Sequence, residues 1–153
     1  MFAKKKFPVI AVFALSALVG TAWGDDDKNV IKLISRCTAI NNFVDVGPPG
    51  FTTGDIYVFV DELFTPDGSQ KVGETIGRCN LIDPKAASFG CTTVSVFADG
   101  TITTEGILRN VLGVVSVGAI TGGTGSYRGA TGEGSVDLGS PCGPHNVTFT
   151  LRR

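Results

Sequence analysis

The stretch Ala119-Ile120-Thr121-Gly122-Gly123-Thr124-Gly125-Ser126-Tyr127-Arg128-Gly129-Ala130-Thr131-Gly132 concentrates glycine between residues that still alternate as strands do. Glycine inside strand-like sequence marks a bulge, a sharp bend or the close approach of another backbone, because only glycine reaches positive φ without a steric penalty. The stretch reads as a barrel corner. A phosphate-cradling loop would need Lys-Ser or Lys-Thr after the glycines and a helix beyond; here Gly132-Glu133-Gly134-Ser135-Val136-Asp137 alternates as a further strand, which excludes nucleotide binding.

Outward from this corner the chain has no helical periodicity, and runs rich in Val, Ile, Thr and Phe are punctuated by Pro, Gly and Asp. About eight strands are expected, the number that closes a small barrel: Val30–Ala39, Asp55–Phe64, Lys71–Ile82, Phe89–Ala98, Thr101–Val111, Val114–Thr121, Gly132–Leu138 and Asn146–Arg152. Asp99-Gly100 is a two-residue hairpin signal and Pro66-Asp67-Gly68 marks another turn. Gly47-Pro48-Pro49-Gly50 forbids regular structure, so the longest loop is expected from about Asn41 to Thr53, where it can serve as a lid or mouth. Mid-strand glycines such as Gly73, Gly77, Gly106, Gly118 and Gly134 suit a twisted, closing sheet better than an open sandwich.

Residues Met1 to Gly24 carry the three parts of a secretory signal: basic Lys4-Lys5-Lys6, an apolar run from Val9 to Val19, and Ala22-Trp23-Gly24 before Asp25. The apolar run is shorter than the roughly 18 to 20 residues that span a bilayer. The expectation is a signal peptide at 1–24, a single domain at 25–153, and a secreted or periplasmic product with no membrane contact after cleavage. Removing the three lysines from thirteen basic residues leaves ten against fourteen acidic ones, with no basic cluster, so nucleic acid is excluded as a partner.

Four cysteines in an exported chain imply disulfides. A hairpin centred on Asp83-Pro84-Lys85-Ala86 brings Cys79 opposite Cys91, within the separation a bridge tolerates. Cys37–Cys142 then follows and ties the first strand to the entrance of the last. With no Cys-x-x-Cys and a single His145, no zinc site is expected, and no cofactor motif is present. His145 has no Ser or carboxylate pattern nearby in the sequence, so a hydrolase triad has no support.

Four segments resemble the allene oxide cyclase and dirigent-like superfamily. They are Gly54-Asp55-Ile56-Tyr57-Val58-Phe59-Val60-Asp61-Glu62-Leu63, Gly73-Glu74-Thr75-Ile76-Gly77-Arg78-Cys79, Phe97-Ala98-Asp99-Gly100-Thr101-Ile102 and Ile120 to Gly132. The resemblance implies an all-β fold, an eight-stranded antiparallel closed β-barrel behind a signal peptide, and a trimer or dimer. In plant allene oxide cyclases a first-strand Glu, a second-strand Asn, a third-strand Cys and a fifth-strand Tyr line the cavity. The resemblance puts the Asn position on Asp61 and the Cys position on Cys79. The Tyr position falls on Leu108, and no Glu occurs from Asn29 to Asn42, so two of those four groups have no occupant.

Strand alternation extends these placements into a lumen. With Asp61 and Cys79 inward, Tyr57, Phe59, Leu63 and Thr75 face inward too; hairpin pairing adds Thr93, Ser95, Phe97, Ile102, Thr104, Gly106 and Leu108. Tyr57, Phe59, Leu63, Thr75, Ser95, Phe97 and Leu108 are therefore the expected ligand contacts, in a wall suited to an apolar small molecule. Asp61 is the candidate catalytic group, because desolvation can raise the pKa of a carboxylate until it exchanges a proton with a substrate oxygen. Arg36 and Arg78 are expected at the rim or on the outer face. Val94, Val96, Ile76 and Ile107 point outward as an apolar strip that a homo-oligomer would cover. The functions left are a secreted, cofactor-independent isomerase or cyclase guiding cyclisation or stereoselective coupling, a non-catalytic lipid-like ligand carrier, and an extracellular interaction barrel.

Overall fold

The computed structural model describes residues 30–139 and 142–152; the signal-peptide reading of 1–24 lies outside them. Eight strands run β1 (Val30–Val44), β2 (Ile56–Phe64), β3 (Lys71–Asp83), β4 (Ser88–Phe97), β5 (Gly100–Arg109), β6 (Val115–Gly123), β7 (Thr131–Asp137) and β8 (His145–Arg152). Each pairs antiparallel with the next, and β8 returns to β1, closing the barrel in sequence order. Among the described strands, closure leaves no sheet edge unpaired.

The glycine-rich stretch forms the expected corner. β6 carries a register shift opposite Thr103 and Thr104 and ends at Gly123; one 3₁₀ turn over Gly125–Tyr127 then leads into β7. The turn folds onto the β4–β5 hairpin, with Ser126 N donating to Asp99 O at 2.9 Å and Thr124 N to Thr101 O at 3.0 Å. Gly125 lies at φ +57°, and a Cβ there would collide with the Asp99 carbonyl, so both conformation and space exclude other residues. The Tyr127 ring packs on Phe97 at 5.4 Å.

These contacts seal one end of the barrel. Leu33, Leu63, Ile102, Ile120, Ala130, Phe149 and Leu151 form a buried plug, with Phe97 and Tyr127 packed against it. A second cluster, Cys79, Leu81 and Phe89 with Tyr57, Phe59, Cys91 and Leu108, lines the wall toward the opposite end. The two ends differ because the plug end is filled by large apolar side chains, mostly Leu and Ile with Phe149, that pack together. Glycines Gly106, Gly118 and Gly134 occupy inward positions farther along and leave the axis open.

One expected boundary moves. Asn41 to Val44, read as loop, continue β1 and pair with Phe59 to Ile56 of β2, so the long connection spans 45–55. The strand is prolonged by a bulge between Cys37 and Asn41 whose polar groups are satisfied locally. Thr38 Oγ1 donates to Val60 O at 2.6 Å, and Asn41 Nδ2 donates to Thr38 O at 2.7 Å. Both disulfides, Cys79–Cys91 and Cys37–Cys142, join the expected partners.

Candidate functional site

The lumen holds a cavity of about 420 Å³, open toward the end that carries loop 45–55. Its aromatic wall begins on β2. Tyr57, Phe59 and Asp61 take successive inward positions there, and Phe59 pairs with Gly77, where a Cβ would collide with the Phe59 ring. The missing side chain lets that ring lie against the strand, and Tyr57 stacks on it at 5.4 Å with 24° between the ring planes. At the mouth Phe51 of the loop stacks on Phe43 at 5.5 Å and meets Phe89 edge-on at 5.9 Å.

Asp55 holds this loop in place. Its buried carboxylate accepts from Thr52 N at 2.7 Å and Val46 N at 3.0 Å, and those hydrogen bonds, Thr52 first, lower its pKa. Phe51 therefore sits above the cavity on a segment pinned at both sides of the turn.

Deeper in, the polar groups include Ser35, Asp61, Thr75, Thr93, Ser95, Thr104, Ser116 and His145. Ser35 Oγ donates to Asp61 Oδ2 at 3.0 Å, while His145 stands opposite Ser35 in the β1–β8 register. Asp61 is 8% exposed and His145 6%. Burial raises the Asp61 pKa, with the Ser35 hydrogen bond and His145 pulling it back. Burial lowers that of His145, opposed by Asp61 and Asp137. Burial thus works against the charged form of each group, and the pair offers a ligand one group that can take a proton and one that can give it. Burial and then Asp61 raise the Tyr57 pKa, which keeps the phenol protonated, and its hydroxyl donates to Asn41 Oδ1.

Of the residues expected to contact ligand, Tyr57, Phe59, Thr75, Ser95 and Leu108 line the cavity with Asp61. Leu63 and Phe97 also point inward but lie outside it: both belong to the plug, because the inward row continues past the floor of the cavity. Cys79 is fully buried beneath the wall in its disulfide. Arg36 stacks on Phe64 at 4.3 Å and donates to Gly68 O, away from the lumen. Arg78 is exposed. The sequence reading missed Ser35, His145 and the mouth phenylalanines. The Ser and carboxylate that it did not find near His145 are Ser35 on β1, which only closure brings beside β8, and Asp61 one strand farther on, on β2. Carrying strand parity across the β1–β8 seam would have found them.

A family model described as "Allene oxide cyclase barrel like domain" matches residues 37–142. Among solved structures, a pyocyanin demethylase superposes with a TM-score of 0.70 at 25% identity, over 80% of this chain and 99% of that one. A pterocarpan synthase dirigent protein gives 0.64 at 19% identity, covering 80% and 91%. An exo-specific intermolecular Diels-Alderase gives 0.62 at 24% identity, covering 80% and 97%; the last two likenesses show a shared fold. No curated protein matches significantly.

Proposed function

The chain belongs to the allene oxide cyclase barrel-like family, and from that premise we propose that it binds an apolar small molecule in its lumen and guides that molecule's cyclisation or stereoselective coupling. The observation that supports this most is the cavity itself: aromatic walls, a plugged floor and one buried acid–base pair, Asp61 with His145. Such a wall restricts a flexible ligand to few conformers. Orientation alone can lower a barrier by about 7 to 11 kcal/mol in favourable cases, so the reaction does not need the two groups that the plant cyclases have and this chain lacks. Asp61 is the proton-exchanging residue of this reading. Tyr57, Phe59, Thr75, Ser95 and Leu108 shape the bound conformer.

Two further parts of the proposal concern the setting of the barrel. We propose export, supported by the signal-like segment at 1–24 and by two disulfides that persist in an oxidising compartment. We also propose a homo-oligomer. Ile76 and Ile107 are 47% and 46% exposed, with Val115 and Val117 at 55% and 54% on the adjoining outer face, an apolar area that a second copy would cover.

The test is native mass spectrometry of the protein from its host, followed by turnover of the released ligand or its biosynthetic precursor. A co-purifying apolar molecule that wild type converts and Asp61→Asn binds without converting is the expected result. A molecule that is bound but never converted would make the barrel a carrier, and an empty lumen that takes up no apolar probe would end both readings.

A further inference from the structure

We infer that the lumen selects a neutral, flat, conjugated ligand bearing a hydroxyl and rejects the same skeleton bearing a carboxylate; this rests on reading the barrel as a small-molecule site. Most hydroxyls of the wall are already engaged with one another or with backbone. Thr75 and Ser95 share a hydrogen bond of 2.8 Å, Thr93 and Thr104 one of 2.6 Å, and Ser116 Oγ accepts from Arg109 N at 2.9 Å. Among the described residues, Asp61 Oδ1 and His145 Nδ1 are the buried side-chain polar atoms without a partner, and both residues line the cavity. Ligand recognition therefore concentrates at one point.

A hydroxyl fits that point because it donates once and accepts twice: it can donate to Asp61 Oδ1 and accept from an Nδ1–H of His145. A carboxylate does not fit. No Lys or Arg lines the cavity among the described residues, and burying an anion beside Asp61 without a counter-charge incurs a desolvation penalty that nothing offsets.

The flatness follows from β2. Inward residues on a strand are spaced by about 6.6 to 6.8 Å, so Tyr57, Phe59 and Asp61 form a ruler of two aromatic positions and one acceptor. A fused bicyclic ring lying along Phe59 brings its substituent to Asp61, and Phe89 closes the wall near Tyr57 at 6.4 Å. This geometry favours ring faces over a branched aliphatic or a sugar.

The test compares three probes of one skeleton, naphthalene, 2-naphthol and 2-naphthoate, by equilibrium dialysis against the intact disulfide-bonded protein at neutral pH. The expected order is naphthol tightest, by about tenfold or more over naphthalene, with naphthoate weaker than naphthalene. Asp61→Asn supplies an amide donor and should raise naphthoate affinity at least about tenfold. Naphthoate binding wild type as tightly as naphthol, or naphthol no tighter than naphthalene, would overturn the selection while leaving the small-molecule site intact. If none of the three binds, the site reading and the selection fall together. The wild-type order decides the matter even if the variant does not fold.

Discussion

At the scale of single residues, Asp61 carries a stability cost that has a definite sign with pH. Burial raises its pKa in the folded chain, so folding disfavours the ionised form. The folded state is favoured while the carboxyl is protonated, below the unfolded value, and loses that stability as pH rises through the folded pKa. Asp61→Asn keeps an acceptor for Ser35 and removes the charge. It should therefore melt higher than wild type at about pH 8, with the advantage vanishing below about pH 4, as read from thermal midpoints across pH. A constant difference at every pH would mean that the carboxylate is not held in a desolvated site. Asp61 was legible from its strand and its resemblance to the family motif. His145 was not, because a lone histidine has no partner until β8 lies against β1 and faces Ser35.

At the scale of elements, the corner at 119–132 and the 45–55 loop were legible to different degrees. Glycine at Gly125 is required by local φ and by the Asp99 carbonyl, so composition alone marked the turn. The start of the 45–55 loop was misplaced because the bulge after Cys37 is held by side-chain hydrogen bonds from Thr38 and Asn41, which alternation does not record. Once β1 ends at Val44, the loop depends on Asp55. Its lowered pKa means that loop order is complete above the ordinary carboxylate range and is lost as pH falls through the folded value. Asp55→Asn should speed hydrogen exchange at the Val46 and Thr52 amides by about tenfold at neutral pH, since each loses a bond to a charged acceptor. Exchange as slow as in wild type would show that Phe51 stacking alone holds the loop closed.

At the scale of the whole molecule, the seam between β1 and β8 is where closure meets the longest covalent loop. Cys37 and Cys142 are 105 residues apart, against 12 for Cys79 and Cys91. By chain entropy the first bridge contributes about 4.7 kcal/mol and the second about 3. Replacing the first pair by serine should lower the urea midpoint more than replacing the second; the reverse order would place the barrel's weak point in the hairpin. The outer face makes a second prediction. Ile107→Asp should shift sedimentation from oligomer to monomer without unfolding the barrel, because the side chain is half exposed in the single chain. A wild-type monomer would remove the proposed role of that face. The strands, their pairing, the two disulfides and the inward row were readable in the sequence because each depends on contacts between neighbours along a meander. The depth of the cavity, the plug that takes Leu63 and Phe97 out of it, and the arrival of His145 beside Ser35 and Asp61 came only from closure, which joins the two ends of the sequence and sets how far side chains reach across the axis.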